Sequence, residues 1–264
     1  MYLPATATFP KLRRKALRII LYNGNSRIST QKEQVISKGY ACGFEGLIEY
    51  ITAILPTNEV INQALRTTVP MYPELAIREL VGNALIHQDF YETGTGPMIE
   101  LFQDRMEVTN PGEPLVSVMR FLDSPPKSRN EALASLMRRF RICEERGSGI
   151  DKVVWQTELY QLPAPLFEAP EGSTRTVLFA HQDLEDMSKE DRVRACYLHA
   201  CLQYVQRKKM TNRSLRERFQ LESDKAALIS RIISAAVESD WVIKIAMSES
   251  RRDYAYVPYW SRSK

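Results

Sequence analysis

The spacing of apolar residues changes several times along the chain, and each change marks an element. A short apolar run, Ala16 to Tyr22, closes on Asn23-Gly24-Asn25 and predicts a strand followed by a turn. Apolar residues then recur at Leu47, Ile48, Ile51, Ile54 and Leu55, with Pro56 just beyond, which predicts a helix over 44–55. Met71-Tyr72-Pro73-Glu74 puts a proline at a helix start and an acid in its first turn, and helical spacing runs on to Gln88. Gly94, Gly96 and Pro97 break it. Two alternating stretches, Met98 to Phe102 and Arg105 to Thr109, joined at Gln103-Asp104, predict a hairpin that Asn110-Pro111-Gly112 terminates. Pro114 to Asn130 has no period and is rich in proline, serine and charge. Helices over 131–141 and 151–160 and a strand from Thr174 to Ala180 follow.

Asp183 to Lys189 is polar and acidic and reads as a linker. Beyond it, Arg192 to Gln206 is helical, Thr211 is the N-cap of a second helix to Phe219, and Ser223 or Asp224 caps a third to Ser239. Strands Trp241 to Ala246 and Tyr254 to Tyr259 flank a polar turn carrying Arg251 and Arg252. Three helices and then a two-stranded ribbon is the order of a winged helix-turn-helix. In the third helix Leu228, Ile229, Ile232, Ile233 and Val237 form the core stripe, which leaves Lys225, Ser230, Arg231 and Ser234 exposed.

Composition narrows the class. The chain has 264 residues, 44% hydrophobic and 26% charged, enough for one good core and a second. No apolar run approaches the roughly 18 residues of a membrane span, and Met1 to Pro10 lacks the form of a leader, so a cytoplasmic protein with no membrane partner is expected. Cys42, Cys143, Cys196 and Cys201 include no Cys-x-x-Cys pair, and three histidines are too few for metal fingers. Cys196 and Cys201 read as small core residues, and Trp155, Trp241 and the aromatic tail Tyr254, Tyr256, Tyr259, Trp260 as packing. Charge is uneven: Ser188 to Lys264 carries 16 Lys and Arg against 9 Asp and Glu, a net +7, which leaves −3 for the rest of a chain of formal charge +4. That asymmetry fits a module meeting a polyanion, against the bland reading of a solvated charged face.

The densest candidate chemistry lies at Glu79, Asn83 and His87, spaced by four along one stripe of the predicted helix. A carboxylate and a carboxamide one turn apart can bind a divalent cation or orient a water, and an imidazole a turn further can meet a phosphate. The competing reading is a solvated polar face. Gly82 and Ile86 beside the stripe tell against it, and Gly82, which costs about 1 kcal/mol of helix propensity against alanine, predicts a close neighbour. Gly147-Ser148-Gly149 at a helix start offers backbone N–H groups to a phosphate, although alone it is more often a plain turn.

Taken in order, Arg78-Glu79-Leu80-Val81-Gly82-Asn83-Ala84-Leu85-Ile86-His87-Gln88-Asp89-Phe90, Val108-Thr109-Asn110-Pro111-Gly112, Ser128-Arg129-Asn130 and Glu144-Glu145-Arg146-Gly147-Ser148-Gly149-Ile150 resemble the ATP-binding domain of RecG-like transcriptional regulators. These belong to the GHKL group of gyrases, Hsp90-type chaperones, histidine kinases and mismatch-repair ATPases. The resemblance implies an α+β fold, a GHKL-like two-layer α/β sandwich followed by a winged helix-turn-helix. It places a remnant of a Schlafen AlbA-like region with its linker over 1–66, the ATP-binding domain over 67–182 and the winged helix over 188–264. It further implies ATP and Mg2+ as cofactors, Glu79 as the residue that activates the hydrolytic water and Asn83 as the magnesium ligand. His87, Asn110, Gly112, Gly147, Gly149 and Thr176 complete the implied nucleotide contacts. Two positions depart from the family. Asn110 stands where an aspartate accepts a bond from the adenine amino group; its carbonyl can still accept, without the charge. His87-Gln88-Asp89-Phe90 replaces the commoner His-Arg-Asp-Tyr and removes one basic contact.

The implied partners are an adenine nucleotide, duplex DNA and a second copy of the chain. Lys225, Ser230 and Arg231 would enter a major groove, Arg251 and Arg252 would grip the backbone from the wing, and Arg207, Lys208, Lys209, Arg213 and Arg216 would add phosphate contacts. Three functions remain open: a DNA-binding transcriptional regulator whose pocket senses ATP; a weak magnesium-dependent ATPase of a DNA-processing or defence complex; and a degenerate scaffold for protein contacts.

Overall fold

The structure, a computed structural model, describes residues 15–62, 65–143, 147–246 and 254–263. Two compact units share the chain: Met1–Val153 with Pro165–Ala180, and Val154–Ala164 with His181–Lys264. The expected boundary at 66–67 lies inside the first of these.

The first unit contains β1 (Arg18–Tyr22), β2 (Thr30–Val35), α1 (Phe44–Ile54), β3 (Thr57–Asn62), β4 (Leu65–Pro70), α2 (Glu74–His87), β5 (Met98–Leu101), β6 (Arg105–Pro111) and α3 (Glu131–Arg139). It also holds the start of α4 (Gly149–Leu159), β7 (Leu166–Glu168) and β8 (Ser173–Phe179). Six strands form one sheet in the order β2-β1-β5-β6-β8-β7, with β1 and β5 parallel and the other neighbours antiparallel. β3 and β4 pair separately. The opening segment is thus built into the main sheet through β1, and α1 packs on α2. β2, β3, β4 and β7 were not read from the hydrophobic pattern.

Strand alternation decides what each face of the sheet presents. Met106, Val108 and Asn110 of β6 share one face, and Arg105, Glu107 and Thr109 share the other. The register sets Asn110 opposite Thr174 and Val108 opposite Thr176 of β8. α2 packs against β6 through a buried arc of Ala76, Ile77, Leu80, Val81, Ala84 and Leu85. Burying each large apolar side chain of that arc contributes about 1.5–3 kcal/mol, so packing more than propensity holds this glycine-containing helix.

The two ends of α2 are built differently. Pro73, fixed in φ and without an N–H, precedes the first turn and its carbonyl accepts from Ala76 N at 3.0 Å. At the other end Asn130 Nδ2 donates to the carbonyls of Ile86 (2.7 Å) and Gln88 (2.8 Å), and Arg129 Nε donates to that of His87 (3.1 Å). The Ser128-Arg129-Asn130 motif therefore satisfies carbonyls that any helix end leaves without partners.

The second unit contains α5 (Lys189–Val205), α6 (Asn212–Arg218), α7 (Ala226–Glu238), β9 (Val242–Ala246) and β10 (Tyr254–Pro258), the last two an antiparallel pair. Ser188 caps α5, accepting from Asp191 N at 3.0 Å. Thr211 caps α6 in a reciprocal capping box with Ser214. The expected cap of the third helix is corrected: Ser223–Lys225 form a 3-10 turn, and α7 begins at Ala226 without a side-chain cap. Ile229, Ile232, Ile233 and Ala236 are its buried stripe, while Leu228 and Val237 are only half-buried. Cys196 and Cys201 are core residues, as expected. Trp260 is buried and its Nε1 donates to Tyr197 Oη at 3.1 Å. Trp155 is a correction: it is 46% exposed rather than core. Tyr254 and Tyr259 are also exposed. No helix among the described residues is long and apolar enough to cross a membrane.

Candidate functional site

A cavity of about 600 Å³ opens in the first unit, lined by one face of α2, the floor strands β6 and β8, the 113–131 segment and the start of α4. Its volume falls within the roughly 300–1,000 Å³ of small-molecule sites. Glu79, Asn83 and His87 all line it, because their spacing keeps them on one face of α2, with Leu80 and Ala84 beside them. Asn110 and Thr176 reach it from the floor, and Gly147 and Gly149 reach it from the turn into α4.

The glycines of the turn do different jobs. Gly147 has φ +68°, a conformation that favours glycine, and a side chain there would meet Pro126 at 3.1 Å. At Gly149 a methyl would lie 2.7 Å from Glu79 Oε2 and 3.7 Å from Asn83 Nδ2. The start of α4 therefore approaches the Glu79, Asn83 pair as closely as backbone allows. Glu79 Oε1 accepts from Lys152 Nζ, one turn into α4, at 3.3 Å.

His87 is desolvated by burial and faces the Arg129 guanidinium, and both depress its pKa from the ordinary 6.5. A neutral imidazole at pH 7 follows, so it can donate a hydrogen bond but contributes no charge. Asn110 is buried on the floor, with its Nδ2 donating to the Pro111 carbonyl at 3.2 Å. Burial pushes the Asp151 carboxyl in the first turn of α4 up to about 6.

Two expectations fail here. Gly112 does not line the cavity: its N–H donates to Gly172 O at 2.8 Å, its carbonyl accepts from Thr174 Oγ1 at 2.8 Å, and φ is +102°. It shapes the turn that ends β6. Gly82 has no close neighbour, since a methyl there would meet nothing within 4 Å outside its own helix. Lys152 was missed as a contributor, with the basic residue three positions after Gly149 as the available signal, and Arg129 and Asn130 were named in a motif without a role.

In the second unit, Lys225, Ser230 and Arg231 are exposed, as are Arg207, Lys208, Lys209 and Arg213. Ser230 Oγ already accepts from Asn212 Nδ2 at 3.0 Å, and Arg213 pairs with Glu217 at 2.9 Å. Arg251 and Arg252 lie outside the described residues. A second polar constellation has the order of an acid, a histidine and a serine: Glu158 carboxylate oxygens lie 3.0 and 3.1 Å from His199 Nδ1, and His199 Nε2 lies 3.2 Å from Ser214 Oγ. It is closed rather than poised for catalysis. His199 is 4% exposed, and Ser214 Oγ also accepts from Thr211 N at 3.0 Å within the capping box.

Comparison with known proteins adds an independent finding. Residues 94–178 match the family described as "Putative ATP-dependent DNA helicase recG C-terminal", which supports a RecG-like ATPase-type domain and suggests ATP binding. The matched stretch runs from just before β5 to β8 and begins after α2, so the Glu79, Asn83 stripe rests on its own geometry. No curated protein matches the chain. Among solved structures, the DIP2311 protein of Corynebacterium diphtheriae is similar in fold, with a TM-score of 0.60 and 18% identity over 96% of this chain. The match covers 53% of that protein, so the chain spans about half its length.

Proposed function

We propose that the first unit binds ATP with Mg2+ and that the second is a winged helix-turn-helix that binds duplex DNA, the nucleotide state modulating DNA affinity in a transcriptional regulator. The observation that carries the nucleotide half is the convergence of Glu79, Asn83, His87, Asn110, Thr176, Gly147 and Gly149 on one cavity of suitable size. These residues fit the ligand's chemistry. Gly147 and Gly149 line the cavity at the start of α4, where backbone N–H groups can meet phosphate oxygens. Asn83 offers an amide oxygen to Mg2+, which when bound neutralises phosphate charge. Neutral His87 offers a donor, and Asn110 with Thr176 offers acceptors and a hydroxyl to the base. Glu79, which lines the cavity, would take a proton from a water and so support slow hydrolysis.

The DNA half rests on three features of the second unit: its helix-helix-helix-ribbon order, the exposed Lys225, Ser230 and Arg231, and the net +7 of Ser188 to Lys264. Arg231 is the one suited to bidentate contact with guanine. A second copy of the chain would give two such helices, as two half-sites require.

Thermal-shift titration with ATP, ADP and GTP, with and without Mg2+, tests the first half: magnesium-dependent stabilisation is expected in the parent and its loss in Asn83→Ala. A parent that no nucleotide stabilises refutes it. For the second half, affinity for duplex DNA should fall steeply with salt, and Arg231→Ala should weaken it by about 1–3 kcal/mol. Weak binding insensitive to salt would favour a protein-contact scaffold. The reading in which turnover is the function, within a DNA-processing or defence complex, draws on Glu79 facing the cavity. It requires hydrolysis that Glu79→Ala abolishes while ATP still binds.

A further inference from the structure

Glu79 is an awkward residue for a polyanion site. Its carboxylate faces the cavity with Oε2 beside Gly149, where a methyl would lie 2.7 Å away. Phosphate oxygens meeting the backbone at that helix start would therefore come close to a carboxylate oxygen, and like charges at such range repel strongly in a partly dehydrated site. The other oxygen is handled differently. Glu79 Oε1 lies 3.3 Å from Lys152 Nζ, and the Glu79 side chain is 13% exposed against 27% for the lysine. Lys152 itself is not part of the cavity wall. One turn of α4 thus holds both oxygens, with the absent side chain of Gly149 against one and the ammonium of Lys152 on the other.

Other charged groups nearby have their own engagements. Arg78, one residue before Glu79, makes two hydrogen bonds of 2.6 Å to Glu45 and lies 3.9 Å from Glu74. Arg138 and Cys143 line the cavity at the end of α3, and His87 lies two turns along α2. Burial pushes the Cys143 thiol up, which keeps it neutral.

We infer that Lys152 is a positioning residue: by neutralising and orienting the Glu79 carboxylate from behind, it lets a terminal phosphate settle between α2 and α4, and so favours nucleoside triphosphate over diphosphate. The inference rests on the proposed nucleotide site. It needs no contact between Lys152 and the ligand.

The test is a binding cycle read by calorimetric titration of Mg-ATP and Mg-ADP into the parent, Lys152→Met, Lys152→Arg, Glu79→Gln and the Lys152→Met, Glu79→Gln double variant. Lys152→Met should weaken ATP binding about tenfold, the order expected when a carboxylate loses an opposite charge at this range. ADP, which lacks the terminal phosphate, should change less than threefold by the same argument. Lys152→Arg should stay near the parent, and the double variant should recover ATP binding, because neutral glutamine needs no counter-charge. A merely structural lysine would weaken ATP and ADP together and would gain nothing from Glu79→Gln; either outcome overturns the inference. If Lys152→Met does not fold, Lys152→Gln takes its place in the cycle. A parent that binds neither nucleotide defeats the nucleotide site and the inference together, whereas a binding parent with an indifferent Lys152→Met defeats the inference alone.

Discussion

The two faces of the six-stranded sheet use their polar residues in opposite ways. On the face away from the cavity, Glu107 accepts from Arg105 Nε at 2.7 Å and Arg27 Nη2 at 3.0 Å, with Arg175 Nε 3.7 Å away. Glu100 takes Arg27 at 2.7 Å and the Tyr22 hydroxyl at 2.9 Å, and burial together with that bond pushes the Tyr22 pKa up to about 12. Both carboxylates there are saturated by the chain itself. On the other face Asn110 and Thr176, with Asn83 and Glu79 of α2, border a space large enough for a nucleotide. Charge density alone therefore does not mark the candidate site; polar groups facing an open volume do. The Glu158, His199, Ser214 group obeys the same rule, since its polar atoms are turned on one another.

The largest effect should come from the saturated face. Glu107→Ala leaves three guanidinium groups around a missing carboxylate, and breaking such a buried network costs about 3 kcal/mol, the low end for buried pairs because Arg27 is half exposed. Urea unfolding would measure it, and Mg-ATP affinity of the folded fraction should not change. A loss below about 0.5 kcal/mol, the level of an ordinary surface substitution, would erase the distinction between the faces. Gly149→Ala is the converse. Its new methyl presses on the movable end of Glu79 and reaches Asn83 Nδ2 only at ordinary contact distance, so stability should shift by less than about 1 kcal/mol. Mg-ATP affinity should nevertheless fall about tenfold, or 1.4 kcal/mol, because the Glu79 carboxylate must leave its place.

A smaller effect depends on pH. Asp151 keeps its proton in the folded protein up to about pH 6, while the unfolded chain releases it near 3.8. Its contribution to stability is present below pH 3.8 and is lost as pH rises through 6. Asp151→Asn should accordingly raise stability at pH 7 by about 1 kcal/mol after allowance for partial solvent exposure, with no gain at pH 3.5. His87 acts in the other direction. Its folded pKa is depressed, so its contribution is present above the ordinary 6.5 and is lost on acidification below it. Denaturation between pH 4 and 8 separates the two, since His87→Gln should flatten only the decline on the acid side of 6.5.

Sequence periodicity recovered the elements whose pattern reports burial. The Met98 to Thr109 hairpin, α2 and the Thr211 cap are each written locally, by alternation, by fourfold spacing or by a side chain three residues from its partner. β2 was illegible for a physical reason: all six residues of Thr30–Val35 are exposed, so neither face needs apolar side chains. β7 is three residues long, too short to show a period. At the site, the α2 stripe was legible because it is a helical repeat. The Lys152 contact was not, because it joins residues 73 apart, and neither was the Asn130 cap, which joins residues 44 and 42 apart.

Gly82 and Gly149 show where inference from propensity fails. Each is a glycine within or beginning a helix, and composition treats them alike. In the folded chain Gly149 is pressed against the Glu79 carboxylate, whereas a methyl at Gly82 would find open space. Alanine at Gly82 thus carries no steric cost and restricts the unfolded chain more than glycine does. Gly82→Ala should stabilise the protein by about 0.5–1 kcal/mol, the helix-propensity difference, and leave Mg-ATP affinity at the parent value. Chemical denaturation and nucleotide titration of the same variant decide it. A destabilised Gly82→Ala would mean that α2 is packed more tightly on that side than the Glu79, Asn83 stripe implies, and a stable variant that lost nucleotide would move Gly82 from scaffold to site.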